Sequence, residues 1–256
     1  ILNDLTFAGT DLSGSWDSLV GGLDGILAAL EVAMDAGVLD VNLPLIGNQL
    51  QDASRFIIDI RQEVGALLSN PLAKTSTYAQ QALFDALGPG SLNWLLDYDN
   101  DNDVDISDIQ LTSEDVFVEF HLSLGQQAEL VNTPVDFDLG LPGLGLDVNG
   151  EVELLLGFDF DLGFGVSKAD GFYFDTSAAD ELTIGLEASI PGFNAVGDLL
   201  FLQVDVLDDP LDPSTLFGGF TVDIRDPFND GKLTYAEIKS GSSFSQLVDA
   251  SFDAVA

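Results

Sequence analysis

Cysteine is absent from the 256 residues, and histidine occurs once, as His121. Without thiols the chain has no disulfide, no thiolate nucleophile and no thiolate metal ligand. A lone imidazole limits any zinc site to one histidine and any Ser-His-Asp triad to His121, which has no nucleophile motif beside it. Basic residues are nearly as scarce: Lys+Arg number 7 against 44 Asp+Glu, a net charge of −37. Such a surface repels nucleic-acid phosphates and anionic membrane surfaces, which sets both aside as partners. It attracts cations, and its self-repulsion costs stability unless salt or bound metal screens it. No apolar run reaches the ~20 residues that span a bilayer. The sequence starts at Ile1 without a basic-then-apolar signal segment, which reads as a processed product or a piece of a longer polypeptide.

What is present is a sufficient core and two clear periodicities. The apolar fraction is 46%, too high for a disordered acidic tail. From Ser15 to Ala36 apolar residues recur at three- and four-residue steps (Trp16, Leu19, Val20, Leu23, Ile26, Leu27, Leu30, Met34), which predicts a helix ending near Gly37. Similar stripes predict helices over about 48–68 and 75–87, with a further turn or two over 91–96. The period then changes to two. Between Leu156 and Val166, Leu156, Phe158, Phe160, Leu162, Phe164 and Val166 share one parity, while Gly157, Asp159, Asp161, Gly163 and Gly165 share the other. A strand sends alternate side chains to opposite faces, so this ladder has one apolar and one acidic or bare face. Val135–Leu141 alternates likewise. Further strands are expected at 116–124, 144–148, 152–166, 172–174, 182–190, 200–206 and 220–224. Turns are expected at Asn149-Gly150, Ala169-Asp170-Gly171, Pro191-Gly192 and Asp208-Asp209-Pro210.

Helices first and strands after give an α+β fold: N-terminal helices packed on a long antiparallel β-sheet or curved sandwich, one face apolar and one acidic. No linker composition divides the chain, so 1–256 reads as a single composite domain. Its parts are an arm or edge strand (1–14), a helical part (15–96), an acidic loop (97–108), a β part (113–225), a second acidic loop (226–237) and a terminal helix (238–256) carrying Phe244, Leu247, Val248 and Phe252.

The first acidic loop matches the twelve-residue calcium loop. Asp97, Asp99, Asp101, Asp103 and Asp108 fall at positions 1, 3, 5, 7 and 12. Asp103 stands where the backbone carbonyl binds, and Asp105 at position 9 reaches a metal through water. Val104 supplies the apolar position 8, and Asn102 replaces the usual glycine at position 6, where it adopts the left-handed conformation at moderate cost. Six carboxylates in twelve residues would repel one another unless neutralised. The alternative is a solvated acidic loop. In 226–237, Asp226, Asp230, Gly231, Leu233 and Glu237 fit positions 1, 5, 6, 8 and 12, with Lys232 at the carbonyl position. Phe228 removes the ligand of position 3, for which the adjacent Asn229 compensates; the alternative is an Asn-Asp-Gly turn before a helix. Neither loop lies in a full helix–loop–helix, so both read as structural clamps. Asp136, Asp138, Asp147, Glu151, Glu153, Asp159 and Asp161 form a third acidic group. They are accounted for by a wetted sheet face, with extra cation binding and general acid–base catalysis as the other readings. Trp16 and Trp94 read as core anchors.

The short acid at position 12 of the first loop resembles dockerin-type loops more than sensor EF-hands. Leu43-Pro44-Leu45-Ile46-Gly47-Asn48-Gln49-Leu50-Gln51-Asp52-Ala53, followed by Phe56-Ile57 and Ile60-Arg61, resembles a segment of the giant, repetitive, calcium-binding surface proteins secreted by Gram-negative bacteria, some of which carry RTX or LEPR-XLL features. The Phe-Asp-Leu-Gly alternation is similar in style; the nine-residue Gly-Gly-x-Gly-x-Asp repeat of RTX β-rolls is absent. The resemblance implies an extracellular, calcium-stabilised structural or adhesive module rather than an enzyme. The expected cofactor is Ca2+, and the expected partners are copies of itself or neighbouring modules, reached by strand addition from residues 1–10. A module that binds a hydrophobic ligand on its apolar sheet face is the rival reading, and a secreted hydrolase using paired acids is a third.

Overall fold

The apolar stripes of the first third become three helices, α1 (Trp16–Gly37), α2 (Arg55–Ser69) and α3 (Ser76–Leu87). This computed structural model describes residues 12–37, 55–69, 71–138, 144–199, 202–209, 215–239 and 248–255. The arm 1–10, the segment 43–53 and the side chains of Asp136 and Asp138 lie outside what it describes. Helix α2 buries Phe56, Ile57, Ile60, Val64 and Leu68, the i, i+3/i+4 face its sequence predicts. Helix α3 is capped by Thr75, whose side chain accepts from the Tyr78 N–H, and Gly88 N–H closes its end on the Phe84 carbonyl. Trp16 is buried and its indole donates to the Leu68 carbonyl at 3.2 Å, tying α1 to the end of α2.

The rest is antiparallel sheet, so the chain is an α+β protein. Its strands are β1 (Gln110–Ser113), β2 (Phe117–Asp138), β3 (Leu144–Ser167), β4 (Gly171–Asp175), β5 (Leu182–Ser189), β6 (Asn194–Leu199), β7 (Leu202–Leu207), β8 (Thr215–Ile224), β9 (Lys232–Thr234) and β10 (Val248–Val255); a short helix α4 (Tyr235–Lys239) follows β9. Hydrogen-bonded neighbours run β1-β2-β3-β5-β8-β10, with β4 and β6 also on β3, β9 on β4 and β7 on β6. The length of β3 explains the branching. Its first residues pair with β6 (Leu144↔Leu199 to Asn149↔Asn194) and its last with β4 (Phe164↔Phe174 to Ser167↔Gly171). Packing gathers the described residues into two compact units. One takes those up to Gln126 with Asp159–Thr183 and Thr221–Ser251; the other takes those within Gln127–Phe158, Ile184–Phe220 and Phe252–Ala256. Both β2 and β3 contribute to each.

In the first unit, Phe160, Leu162, Phe164 and Val166 are buried, as their parity predicts, and Asp161 is exposed on the other side. Phe56 of α2 meets Phe160 edge-on, with ring centroids 6.4 Å apart, and Phe164 stacks on Phe120 at 5.3 Å. Helix α1 lies on β4: Phe172 presses against Gly22, where an added Cβ would sit 2.1 Å from the ring.

Four local expectations are corrected. No turn forms at Asn149-Gly150; β3 runs straight through, because Leu144, Val148, Leu154 and Leu156 keep one parity and no change of face is needed. Gly150 instead admits a close neighbour, since a Cβ there would lie 3.2 Å from Ile190 Cγ2. The terminal helix expected over 238–256 is, from Val248 onward, the strand β10. Val248 and Phe252 are four apart, a spacing shared by a helix turn and two strand periods, and the alternation Val248, Ala250, Phe252, Ala254 decides for the strand. Among the described residues of this stretch, Tyr235–Lys239 is helical; Phe244 and Leu247 lie outside the described residues. The helical turns expected over 91–96 are replaced by a bend in which Asn93 takes φ 58 and Leu95 bridges to Leu124. Strand β6 was not expected, its sequence Asn-Ala-Val-Gly-Asp-Leu being poor in β-branched residues; pairing on both sides makes it.

The adjacent glycines of α1 give a matched test. Gly21 has no atom within 4 Å of an added Cβ, so Gly21→Ala is expected to stabilise by up to about 1 kcal/mol through helix propensity. Gly22→Ala must displace the buried Phe172 ring and is expected to destabilise by about 1–3 kcal/mol despite the same propensity gain. Urea unfolding of the two variants checks the opposite signs.

Candidate metal centre

The first acidic loop has the backbone that its sequence predicts. Asn100 and Asn102, at positions 4 and 6, are left-handed at φ 61 and 73. Asp97 accepts from the Asp101 N–H at 3.1 Å and the Asn102 N–H at 2.9 Å, so the position-1 carboxylate organises the turn. Asp108, at position 12, is fully buried; its Oδ1 accepts from Tyr98 N–H at 2.7 Å and its Oδ2 from Asp105 N–H at 2.8 Å. Oxygens of Asp97, Asp99 and Asp108 thereby come within 4.8 Å of one another. Asp101 Oδ1 accepts from the Asp103 N–H, and Asp105 caps the 3-10 turn Ile106–Asp108. The Ser107 hydroxyl and N–H hold the Asp105 carboxyl below its ordinary range.

Both ends of this loop are anchored. Before it, Leu96 N–H donates to Ser123 O and Gly125 N–H to Trp94 O, fixing the chain to β2. After it, Ile109 is buried and Gln80 of α3 donates to the Ile109 carbonyl at 2.7 Å. A cation held by the loop would therefore sit where α3, β1 and β2 meet.

The second loop repeats the backbone turn, but its acids Asp226, Asp230 and Glu237 are not gathered within 4.8 Å of one another as those of the first loop are. Asn229 and Gly231, again positions 4 and 6, take φ 56 and 80. Asp226 accepts from the Gly231 N–H at 2.7 Å and the Phe228 N–H at 2.9 Å. Burial pushes its carboxyl up, but the N–H groups of Gly231, Phe228, Asn229 and Asp230 outweigh that and hold it low. Glu237, at position 12, accepts from Thr234 N–H and Oγ1, both at 2.6 Å. Asp230 Oδ1 accepts from Lys232 N–H. Lys232 lies in β9 opposite Asp175, and its amine turns away from the loop to lie 4.1 Å from the Tyr173 ring centroid. Phe228 is exposed.

A second cluster was not expected as a site. Glu119 and His121 stand on one face of β2, and Tyr173 and Asp175 on β4, with β3 running between. Gly163 and Gly165 of β3 leave the space that lets them meet. A Cβ at Gly163 would lie 2.8 Å from Asp175 Cβ and 3.0 Å from His121 Nδ1; one at Gly165 would lie 2.7 Å from Tyr173 Oη. His121 Nε2 is 2.8 Å from Glu119 Oε1 and 3.5 Å from Asp175 Oδ2, and Tyr173 donates to Glu119 Oε2 at 2.6 Å. Burial raises the Glu119 carboxyl, but hydrogen bonds from Tyr173 and His121 and the charges of His121 and Lys232 bring it below its ordinary value. Burial and Glu119 push the Tyr173 phenol far up, so it stays a donor. The sequence signal was the pair Glu119-x-His121 on the polar parity of its strand; the partner Asp175 is distant in sequence.

Glu181, just before β5, is buried and bonded close to the second loop. Its Oε2 accepts from the Ile224 N–H at 2.6 Å, two residues before Asp226. Burial lifts its carboxyl to about 7, against the backbone N–H bonds and helped by the Asp223 and Asp180 charges. Of the remaining acids, Asp147, Glu151, Asp159 and Asp161 are exposed and Glu153 half-buried.

No protein-family model, no curated protein and no solved structure matches this chain.

Because the folded carboxyl of Glu181 binds its proton more tightly than an ordinary glutamate with a pKa of 4.5, the folded state is disfavoured as pH rises from about 4.5 through about 7. Glu181→Gln, which keeps an acceptor for Ile224, is expected to raise stability at pH 8 by up to about 3 kcal/mol, at roughly 1.4 kcal/mol per unit. The gain should shrink to nothing near pH 4.5. Denaturant titrations of both proteins across that range check it.

Proposed function

We propose that this chain is a calcium-stabilised structural subunit of an extracellular assembly, such as a filament, surface layer, adhesin or matrix. One observation carries the reading: two loops 129 residues apart in sequence share the same turn, left-handed at positions 4 and 6, with the position-1 carboxylate on the position-6 N–H and the position-12 carboxylate on the position-9 N–H. In the first loop that turn brings oxygens of positions 1, 3 and 12 within 4.8 Å of one another, the convergence a calcium loop requires. Calcium suits an all-oxygen donor set, and each ion removes two charges from a chain carrying −37. The donors would be Asp97, Asp99, Asp101, Asp105, Asp108 and the carbonyl of Asp103 in the first loop, and Asp226, Asn229, Asp230, Glu237 and the carbonyl of Lys232 in the second. Each ion would clamp its loop to the flanking strands.

Self-association is supported by β7. Among the described residues its hydrogen-bonding neighbour is β6 alone, and Val204, Val206 and Leu207 on it are half exposed or more. An unpaired apolar edge of this kind accepts a strand from another chain. The hydrophobic-ligand reading needs an uncovered apolar sheet face. Where helices and strands share a unit, that face is filled by Phe56 against Phe160 and by α1 against Phe172. No described helix is long and apolar enough to cross a membrane.

Millimolar Ca2+ is expected to raise the melting temperature and chelator to lower it, since a ligand at a hundredfold excess over its Kd adds about 2.7 kcal/mol per site. Asp97→Asn with Asp99→Asn should remove one of two binding events in calorimetry; a melting temperature indifferent to chelator at physiological salt would reject the reading. Val206→Lys on β7 should weaken self-association, measured by sedimentation, without lowering calcium affinity.

A further inference from the structure

We infer that Glu119, His121 and Asp175 form a site for a first-row transition-metal dication of the zinc type, separate from the calcium loops and independent of whether those loops bind calcium. Donors from two strands converge: one ligand atom from each of His121, Glu119 and Asp175 lies within 4.8 Å of the other two. Metal–ligand bonds of about 2.0–2.1 Å place neighbouring donors roughly 2.8–3.4 Å apart in tetrahedral or octahedral shells. The separations from His121 Nε2, 2.8 Å to Glu119 and 3.5 Å to Asp175, are already at that edge length, so a dication enters with little movement. A single Nε2 proton serves one carboxylate well and cannot serve both, whereas one metal ion serves all three.

The surroundings are those of a metal centre. Tyr173 donates to the second oxygen of Glu119 and fixes which lone pairs face inward, the usual task of an outer-shell partner. Two carboxylates and a neutral imidazole balance a dication. The imidazole distinguishes this site from the all-oxygen loops, since nitrogen ligands favour zinc and its neighbours over calcium. Three protein ligands leave a position open. His121 and Asp175 both line a cavity of about 270 Å³ with Tyr98, Asp161, Gly163 and Ser177, which gives that position room for water or a small anionic ligand. Gly163 is part of the construction, because any side chain there would strike both His121 and Asp175.

The test is a zinc chloride titration of the full chain already saturated with millimolar Ca2+. One zinc per chain is expected by calorimetry, with a matching visible spectrum when cobalt is substituted. His121 is the sole histidine, so the imidazole nitrogen signals of the wild-type chain report the site without assignment: Nε2 should shift on zinc addition while Nδ1 keeps its proton. Asp175→Asn and His121→Ala should each weaken zinc by well over tenfold, Tyr173→Phe by about tenfold. Asp97→Asn should leave zinc binding unchanged. Unmoved imidazole signals in the wild-type chain, or zinc uptake that Asp175→Asn leaves intact and Asp97→Asn abolishes, would overturn the assignment. Neither result would touch the calcium reading, which chelation and melting test separately.

Discussion

Forty-four carboxylates share seven basic side chains, and most structural detail in this protein answers the question of what faces each acid. Among the described residues, cations meet several of them. Arg61 bridges Asp24 and Glu31, Arg225 just after β8 pairs with Asp249 of β10, and Lys232 and Lys74 reach Asp170 and Asp17. Most of these pairs are exposed and contribute little individually. The organised acids are met instead by backbone N–H groups: Asp97 accepts two, Asp108 three, Asp226 at least two and Glu237 one, and the buried Glu181 accepts from Ile224. Such bonds orient a carboxylate without cancelling its charge. Where three carboxylate oxygens are gathered within 4.8 Å, as in the first loop, the remaining repulsion is relieved by a dication more effectively than by any side chain this composition supplies.

The same constraint shapes the sheet. From Leu154 to Val166 the apolar parity of β3 is buried, while Asp159 and Asp161 on the other parity are exposed. This is why the architecture was legible in the sequence: helix stripes and strand parity are local, and each was set by residues within a few positions. The failures were also local, at places where one pattern satisfies two periods. Val248 and Phe252 suit a helix turn as well as a strand. Asn149-Gly150 has hairpin chemistry, yet unbroken parity carries the strand through it, and the pressure of Ile190 gives Gly150 a different purpose. Strand β6 is the opposite case, made by its neighbours against a weak sequence of its own.

The candidate sites divide along the same line. Each acidic loop is a contiguous dodecamer, so position, residue type and the left-handed Asn102 were readable from spacing, while the left-handed Asn100 and Asn229 were not. The cluster of Glu119, His121 and Asp175 was not, because its members are neighbours only through β3. What joins them is an absence of side chains: Gly163 and Gly165 open the middle strand so that β2 and β4 meet above it. Glycines in a strand ladder read equally as curvature, as close packing or as a floor for someone else's chemistry, and only the registers of both neighbouring strands decide.

Two donor sets in one unit would separate two kinds of cation by chemistry alone. The loops offer carboxylates and carbonyls, which hold a large, hard ion with flexible geometry. The strand cluster adds an imidazole at fixed separation, which suits a smaller ion with shorter bonds. Tyr98 belongs to both neighbourhoods, since its N–H binds Asp108 inside the first loop while it lines the cavity beside His121. Ordering the loop thus fixes one wall of that cavity. Glu119, His121 and Asp175 themselves are placed by strands β2 and β4 and not by the loop, so the cluster's three donors stand together whatever the loop holds.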